Sequence, residues 1–273
     1  KSKFIPISDE SLQNCHYKAG KDLLAIYINN HKDSNLFKFK NLRLGGSAEL
    51  YESFGTKFGD LSAILIENLP FWVERTTTPS REVSLMSEWE TKLKAIVSEV
   101  KNKDVGSLTG VPSWMMVLLQ RVLKDTGKKS ISEVWPNLEV FFHGGISFVP
   151  YREQYKQLIG KDIRYYEIYN ASEGFFGIQD RFGSDEMLLM LDYGIFYEFI
   201  PMDTFGTENA KAVSLENVEL GKNYAVVITT NGGLWRYLIG DTIRFTDLKP
   251  FRFKISGRTK HYINAFGEEL MID

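Results

Sequence analysis

Cysteine is nearly missing from this chain. The 273 residues hold one, Cys15, so an intrachain disulfide and a cysteine-built zinc cage are both excluded. No apolar run approaches the ~20 residues that a membrane-spanning helix needs. An excess of one charge is lacking too. Against 33 lysines and arginines stand 35 aspartates and glutamates, and the net charge of −2 argues against a nucleic-acid partner. Internal repeats and low-complexity linkers are absent. What remains is a globular composition, 43% hydrophobic and 25% charged, which excludes intrinsic disorder. An aromatic share of 14% favours a mixed α/β core over a helical bundle. These features predict a soluble α/β protein of a reducing compartment, the cytoplasm, with no membrane or nucleic-acid partner; they set no oligomeric state. The chain opens on Lys1 rather than Met and closes on Glu269-Leu270-Met271-Ile272-Asp273, which predicts a piece of something longer.

Hydrophobic periodicity divides the chain in two. Helices are expected over Asp9 to Tyr27 behind an Ser8 cap, Ser84 to Lys101, Pro112 to the stop at Gly127, and Tyr151 to Ile159. Between them stand strand-like runs at Leu42–Leu44, Val105–Thr109, Leu138–Phe142 and Arg164–Tyr169. Strands alternating with helices imply parallel pairing through crossovers, with ligands at the carboxyl ends of the strands. After Gly183 the pattern becomes short strands: Met187–Leu191, Ile195–Ile200, Tyr224–Thr230, Leu234–Leu238, Thr242–Thr246 and Phe251–Ser256. Asn231-Gly232-Gly233 marks a hairpin turn among them. The predicted divisions are an α/β part over 1–183, an antiparallel sheet or open barrel over 184–256, and a closing segment over 257–273.

Three glycine-bearing stretches follow predicted strands. In His143-Gly144-Gly145-Ile146-Ser147 two glycines allow close backbone approach to a flat ring; a tight strand-to-helix turn is the alternative. Tyr169-Asn170-Ala171-Ser172-Glu173-Gly174-Phe175 sets one carboxylate among small and aromatic residues. Glu173 is suited to Mg²⁺, which takes one or two protein carboxylates beside phosphate oxygens; a solvated turn carboxylate is the alternative. Trp235 to Asp241 reads as a strand ending in Gly-Asp. The acceptor-only Asp241 can take both hydroxyls of a ribose, or can sit in an ordinary hairpin turn.

Together these stretches resemble the nucleotide motifs of the adenylate-forming (ANL) superfamily, and most closely the auxin-responsive Gretchen Hagen family of acyl acid–amido synthetases. Asn170-Ala171-Ser172-Glu173-Gly174-Phe175 and Tyr237-Leu238-Ile239-Gly240-Asp241 resemble two of its nucleotide motifs. The run from Ser256-Gly257-Arg258 to Gly267-Glu268-Glu269 resembles its hinge strand. Gly110-Val111-Pro112-Ser113-Trp114 and His143 to Phe148 are further likenesses, so the resemblance covers essentially the whole chain. Lys1 to Pro6 resembles the tail of the family's phosphate loop; the serines and threonines that precede that tail in the family are not in this sequence, nor is the smaller domain that the resemblance places after the hinge.

The resemblance implies an ANL-type large-domain core. It implies ATP-dependent adenylation of a small carboxylic acid, then amide formation with an amino acid, with Mg²⁺ as the metal. An acyl-CoA or aryl-CoA ligase and a non-catalytic nucleotide-binding module are the alternatives, and the isolated piece is expected to be inactive. Carried over by position, Gly144, Gly145 and Ile146 form the adenine-side loop. Tyr169, Asn170, Ala171, Ser172, Glu173, Gly174 and Phe175 flank adenine and the α-phosphate, with Glu173 on Mg²⁺. Asp241 holds the ribose, Arg258 reaches ribose or phosphate, and Lys3 matches the lysine ending the phosphate loop. Phe71, Trp72, His143 and Phe148 are acyl-pocket candidates or ordinary core, and for His143 a core histidine bonded to a backbone carbonyl is the slightly favoured alternative. Two departures stand out: Asn170 replaces a glycine of the wider superfamily, and Leu238 an arginine that Arg236, one strand repeat earlier, replaces only in part.

Overall fold

The computed structural model describes residues 3–45, 50–53, 55–260, 262–265 and 268–271; side chains are described up to residue 260, that of Trp72 excepted. They fall into two compact units, one of residues 33–166 and one of the residues before 33 with those after 166.

The 33–166 unit is built on parallel strands in the order Val140–Gly144, Val105–Gly110, Lys40–Arg43, Thr77–Thr78. Every residue of Val140–Gly144 is buried, as a strand covered on both faces requires. Helices Trp89–Val100, Pro112–Thr126 and Arg152–Ile159 pack on the sheet through Leu93, Ile96, Leu118, Leu119 and Tyr155. Trp135 is wholly buried beside them, its indole N–H donating to the Val100 carbonyl at 3.2 Å. The helix expected from Ser84 starts five residues later. A separate turn covers Arg81–Ser84, and the Glu88 carboxylate then accepts from the N–H groups of Glu90 and Thr91 at 2.9 and 2.7 Å. That side chain satisfies donors a helix start leaves open, so the second helix begins there.

In the other unit Ser8 caps the first helix as expected, its Oγ accepting from Ser11 N–H at 3.1 Å. The helix is π-wound over Leu12–Tyr17 and continues as α-helix through Asn30, three residues beyond the expected end. Leu12, Cys15, Ala19, Leu23 and Tyr27 form its buried stripe. The strands here pair antiparallel: Val213–Ser214, Ile195–Pro201, Asn223–Thr230, Tyr237–Leu248, Phe251–Arg258, Met187–Leu189, Gly174–Ile178 and Arg164–Ala171, in that order.

Two strand assignments change. The strands expected at Leu234–Leu238 and Thr242–Thr246 are one strand, Tyr237–Leu248. Gly240, at φ 100°, lets the chain bulge where Ile239–Asp241 face the single residue Val226, after which pairing resumes at Thr242. Gly-Asp therefore lies inside a strand rather than at its tip. The stretch after Tyr169 is likewise a tight hairpin, with Asn170 opposite Phe175 and Ala171 opposite Gly174.

Candidate functional site

The bulge at Gly240 turns Asp241 into the interior, where it is 7% exposed. Strand Phe251–Arg258 runs alongside and sets Arg258 directly opposite. Arg258 Nε donates to Asp241 Oδ1 at 3.0 Å. The Tyr169 hydroxyl donates to Oδ2 at 2.5 Å. Tyr169 is buried against Phe176 and Phe253, with ring centroids 4.9 and 6.1 Å away. Burial, with the Asp241 charge second, pushes the phenol well above its ordinary value, so it stays a donor across the physiological range. An ionised carboxylate offers about four acceptor positions, so two such bonds leave room for a neighbouring pair of hydroxyls. Thr259 N–H closes the corner on the Gly240 carbonyl at 2.8 Å. Three sequence-predicted residues thus meet, and the Tyr169–Asp241 bond is a contact the sequence reading did not anticipate.

In the hairpin turn Ser172 is exposed, Asn170, Ala171 and Glu173 are half-buried, and Gly174 and Phe175 are buried. The Phe175 N–H donates to Cys15 Sγ at 3.2 Å, and burial pushes that thiol up to about 11. Cys15 is therefore a protonated packing residue at neutral pH. Glu173 lines a small cavity with Pro6, Ser11 and His16. Lys3 is exposed, its Nζ 5.8 Å from the Tyr237 ring centroid. Arg236 precedes its strand at φ 43°, with Nε on Glu198 Oε2 at 2.9 Å, so it does not share a strand repeat with Leu238. Among the described residues no group of three or more His, Cys, Asp or Glu could hold a metal ion. No described helix is long and apolar enough to cross a membrane.

The remaining candidates belong to the 33–166 unit. Gly144 is buried at its strand end, Gly145 is exposed at φ 84°, and Ile146 is half-buried. His143 is 3% exposed and stacks on buried Phe148, centroids 4.2 Å apart. Its Nδ1 has no hydrogen-bond partner among the described residues. Phe71 is 65% exposed under the Arg75 guanidinium, 4.3 Å from its ring centroid, and the side chain of Trp72 lies outside those described.

Burial holds two histidines neutral. It lowers His16 to about 4, and lowers His143, with Arg152 adding a smaller repulsion, to about 3. In the unfolded chain both titrate near 6.5. As pH falls below 6.5 protons bind the unfolded chain first, so stability is lost progressively toward pH 4 and below. Between neutrality and about pH 5 each histidine is expected to cost about 2 kcal/mol. Urea unfolding at the two pH values should show a smaller loss for His16→Gln/His143→Gln than for the parent; an equal loss refutes the assignment.

The sequence matches the GH3 family N-terminal domain over residues 1–163 and the GH3 family central domain over residues 188–258. Indole-3-acetic acid-amido synthetase GH3.3 of Arabidopsis thaliana is 33% identical over 123 residues, 42% of this chain and 20% of that protein. Indole-3-acetic acid-amido synthetase GH3.8 of Oryza sativa subsp. indica is 35% identical over 127 residues, 42% of this chain and 20% of that protein. Among solved structures, GH3.15 acyl acid amido synthetase superposes with a TM-score of 0.76 at 14% identity, over 98% of this chain and 57% of that one. A 2-hydroxyisobutyryl-CoA ligase superposes at 0.60 with 15% identity, over 96% of this chain and 50% of that one. The matched region thus spans about a fifth of these curated relatives and somewhat over half of the solved GH3.15 chain. The mixed α/β fold is that of the acyl acid amido synthetase and of the CoA ligase. With the N-terminal-domain match alone taking in more than half of its residues, the chain belongs to the GH3 family.

Proposed function

We propose that this chain is the nucleotide-handling core of an acyl acid–amido synthetase. In the full-length protein a small carboxylic acid attacks the α-phosphorus of ATP, pyrophosphate leaves, and an amino acid amine then displaces AMP from the acyl carbon. The observation that carries this reading is the Tyr169–Asp241–Arg258 cluster, a buried carboxylate with acceptor positions to spare. Supporting it are the names of the relatives, indole-3-acetic acid-amido synthetases, and the GH3.15 enzyme solved in complex with 2,4-DB. The 2-hydroxyisobutyryl-CoA ligase is solved with 2-HIB-AMP.

In this reading Asp241 accepts from the ribose hydroxyls, held in place by Tyr169, while Arg258 neutralises it and reaches ribose or phosphate. Gly144, Gly145 and Ile146 form the adenine-side loop, the hairpin residues 169–175 flank adenine and the α-phosphate, and Lys3 serves the phosphates. The closing segment after the 1–183 and 184–256 parts is read as the hinge from Gly257 and Arg258 onward, and its residues 261, 266, 267, 272 and 273 lie outside those described. Glu173 is the one candidate ligand for Mg²⁺. A single turn carboxylate fits an ion that arrives with nucleotide phosphates better than a resident metal. When bound, the ion neutralises phosphate charge. Catalysis by the chain itself is positioning and fixed electrostatics.

The experiment is pyrophosphate release by the full-length protein with a carboxylic acid library, followed by separate amino acid and CoA pools. Amide product is expected. The fold likeness to a CoA ligase favours thioester formation as the second reading, and thioester without amide would replace the first by it. Tyr169→Phe removes one bond to a charged acceptor and is expected to lower stability by about 1.5–3 kcal/mol. It should also raise KM for ATP more than it lowers kcat. Unchanged unfolding and kinetics would show the hydroxyl to be idle.

A further inference from the structure

Three buried polar atoms in the unit of residues 1–32 and 167–273 have no hydrogen-bond partner among the described residues, Ser11 Oγ, Asn231 Nδ2 and Thr246 Oγ1, and the first two belong to residues on one cavity, which Glu173 also lines. Ser11 is only 7% exposed. A buried donor or acceptor left unmade is costly, so two on one cavity call for a shared partner.

The cavity's size identifies that partner. The space open to the centre of a water molecule is about 10 Å³, close to the minimum of about 10–15 Å³ that one water requires. Its walls are polar where a water needs them. The Pro6 carbonyl oxygen would lie 3.1 Å from a Cβ built on Gly232, and Ser11 Cβ 3.8 Å from it, so the lack of a side chain at Gly232 brings both to the edge of this space. Gly194 plays the same part for Asn231, whose Nδ2 occupies the position a Gly194 side chain would need. The Asn231 N–H also bonds the Gly194 carbonyl at 3.0 Å, which holds the turn in place. His16 on the wall is neutral through burial, so nothing there draws in an anion.

We propose that this cavity is a built hydration site holding one water between Ser11, Asn231 and the Pro6 carbonyl. The water accepts from Asn231 Nδ2, exchanges a hydrogen bond with Ser11 Oγ and donates to the Pro6 oxygen. It joins the segment leading from Lys3, the start of the first helix and the 231–233 turn, in a cavity that Glu173 and Gly174 also line. The inference concerns the chain's own architecture and stands whether or not the proposed reaction is correct.

A high-resolution crystal structure of the full-length protein is expected to show one ordered water within hydrogen-bonding reach of both Ser11 Oγ and Asn231 Nδ2. A dry cavity, or a direct Ser11–Asn231 bond, overturns the proposal. The same point is testable without crystals by chemical unfolding of Ser11→Ala, Asn231→Leu and the double variant. Each single change should lower the unfolding midpoint, and the double should lower it by clearly less than the sum, because the second loss acts on a water already displaced. Additive shifts overturn the shared water. If Asn231→Leu does not fold, Asn231→Ala completes the cycle.

Discussion

Asp241→Ala in the full-length protein is expected to reduce kcat/KM for ATP by about a hundredfold or more. Two hydrogen bonds from ribose hydroxyls to a carboxylate are worth about 1.5–3 kcal/mol each, and every 1.4 kcal/mol is about a factor of ten. The substitution also takes from the Tyr169 hydroxyl and the Arg258 guanidinium the carboxylate on which they now converge. Part of the loss could therefore be structural, and Asp241→Asn separates the two. The amide keeps shape and one acceptor oxygen but removes the charge that pairs with Arg258. It should fold, and should fall between the parent and the alanine variant in pyrophosphate exchange. Unchanged KM for ATP in both variants would remove Asp241 from the nucleotide site.

The second large effect concerns stability and lies away from the candidate site. Arg252, with a side chain 7% exposed, is held by Asp180 through Nε at 3.0 and 3.2 Å and Nη2 at 2.7 Å, and by Asp247 through Nη1 at 3.0 Å. Those bonds, Asp180 first, raise the guanidinium further above its ordinary value. Asp180→Ala removes three of the four hydrogen bonds and leaves the buried cation with Asp247 as its carboxylate partner, so a cost of about 3 kcal/mol, the low end for a broken buried pair, is expected. Chemical unfolding should report a loss of that order. The Asp247→Ala change, at a more exposed carboxylate, should be milder. Asp180→Leu/Arg252→Met should recover much of the loss, since an apolar pair needs no charge compensation. A neutral Asp180→Ala would mean that water reaches Arg252 freely.

Much of the fold could be read before any coordinates. Pro112 and Gly127 bracket a helix because one lacks an N–H that a helix start does not need, and the other accepts the left-handed φ of 67° that ends it. The buried run ending at His143 and the antiparallel strands after Gly183 follow from the same local patterns. The pairing of Asp241 with Arg258 was within reach too. Phe251 faces Leu248 across the Lys249-Pro250 turn, and counting outward from there sets 258 opposite 241. The bulges along the way cancel, so the simple count survives.

Composition and periodicity thus decided the mixed α/β class, the caps and stops of the helices, and the antiparallel strands after Gly183, but not the antiparallel hairpin of Arg164–Ala171 with Gly174–Ile178 that precedes them. Each feature they decided depends on neighbours a few residues apart. Tertiary structure alone decided that Gly-Asp lies inside a strand, that a tyrosine 72 residues away closes on Asp241, and that Ser11 and Asn231 face one cavity. Whether a bulge forms, and which buried polar groups end up sharing a partner, depends on packing among segments far apart in the chain. That packing leaves no periodic trace in sequence.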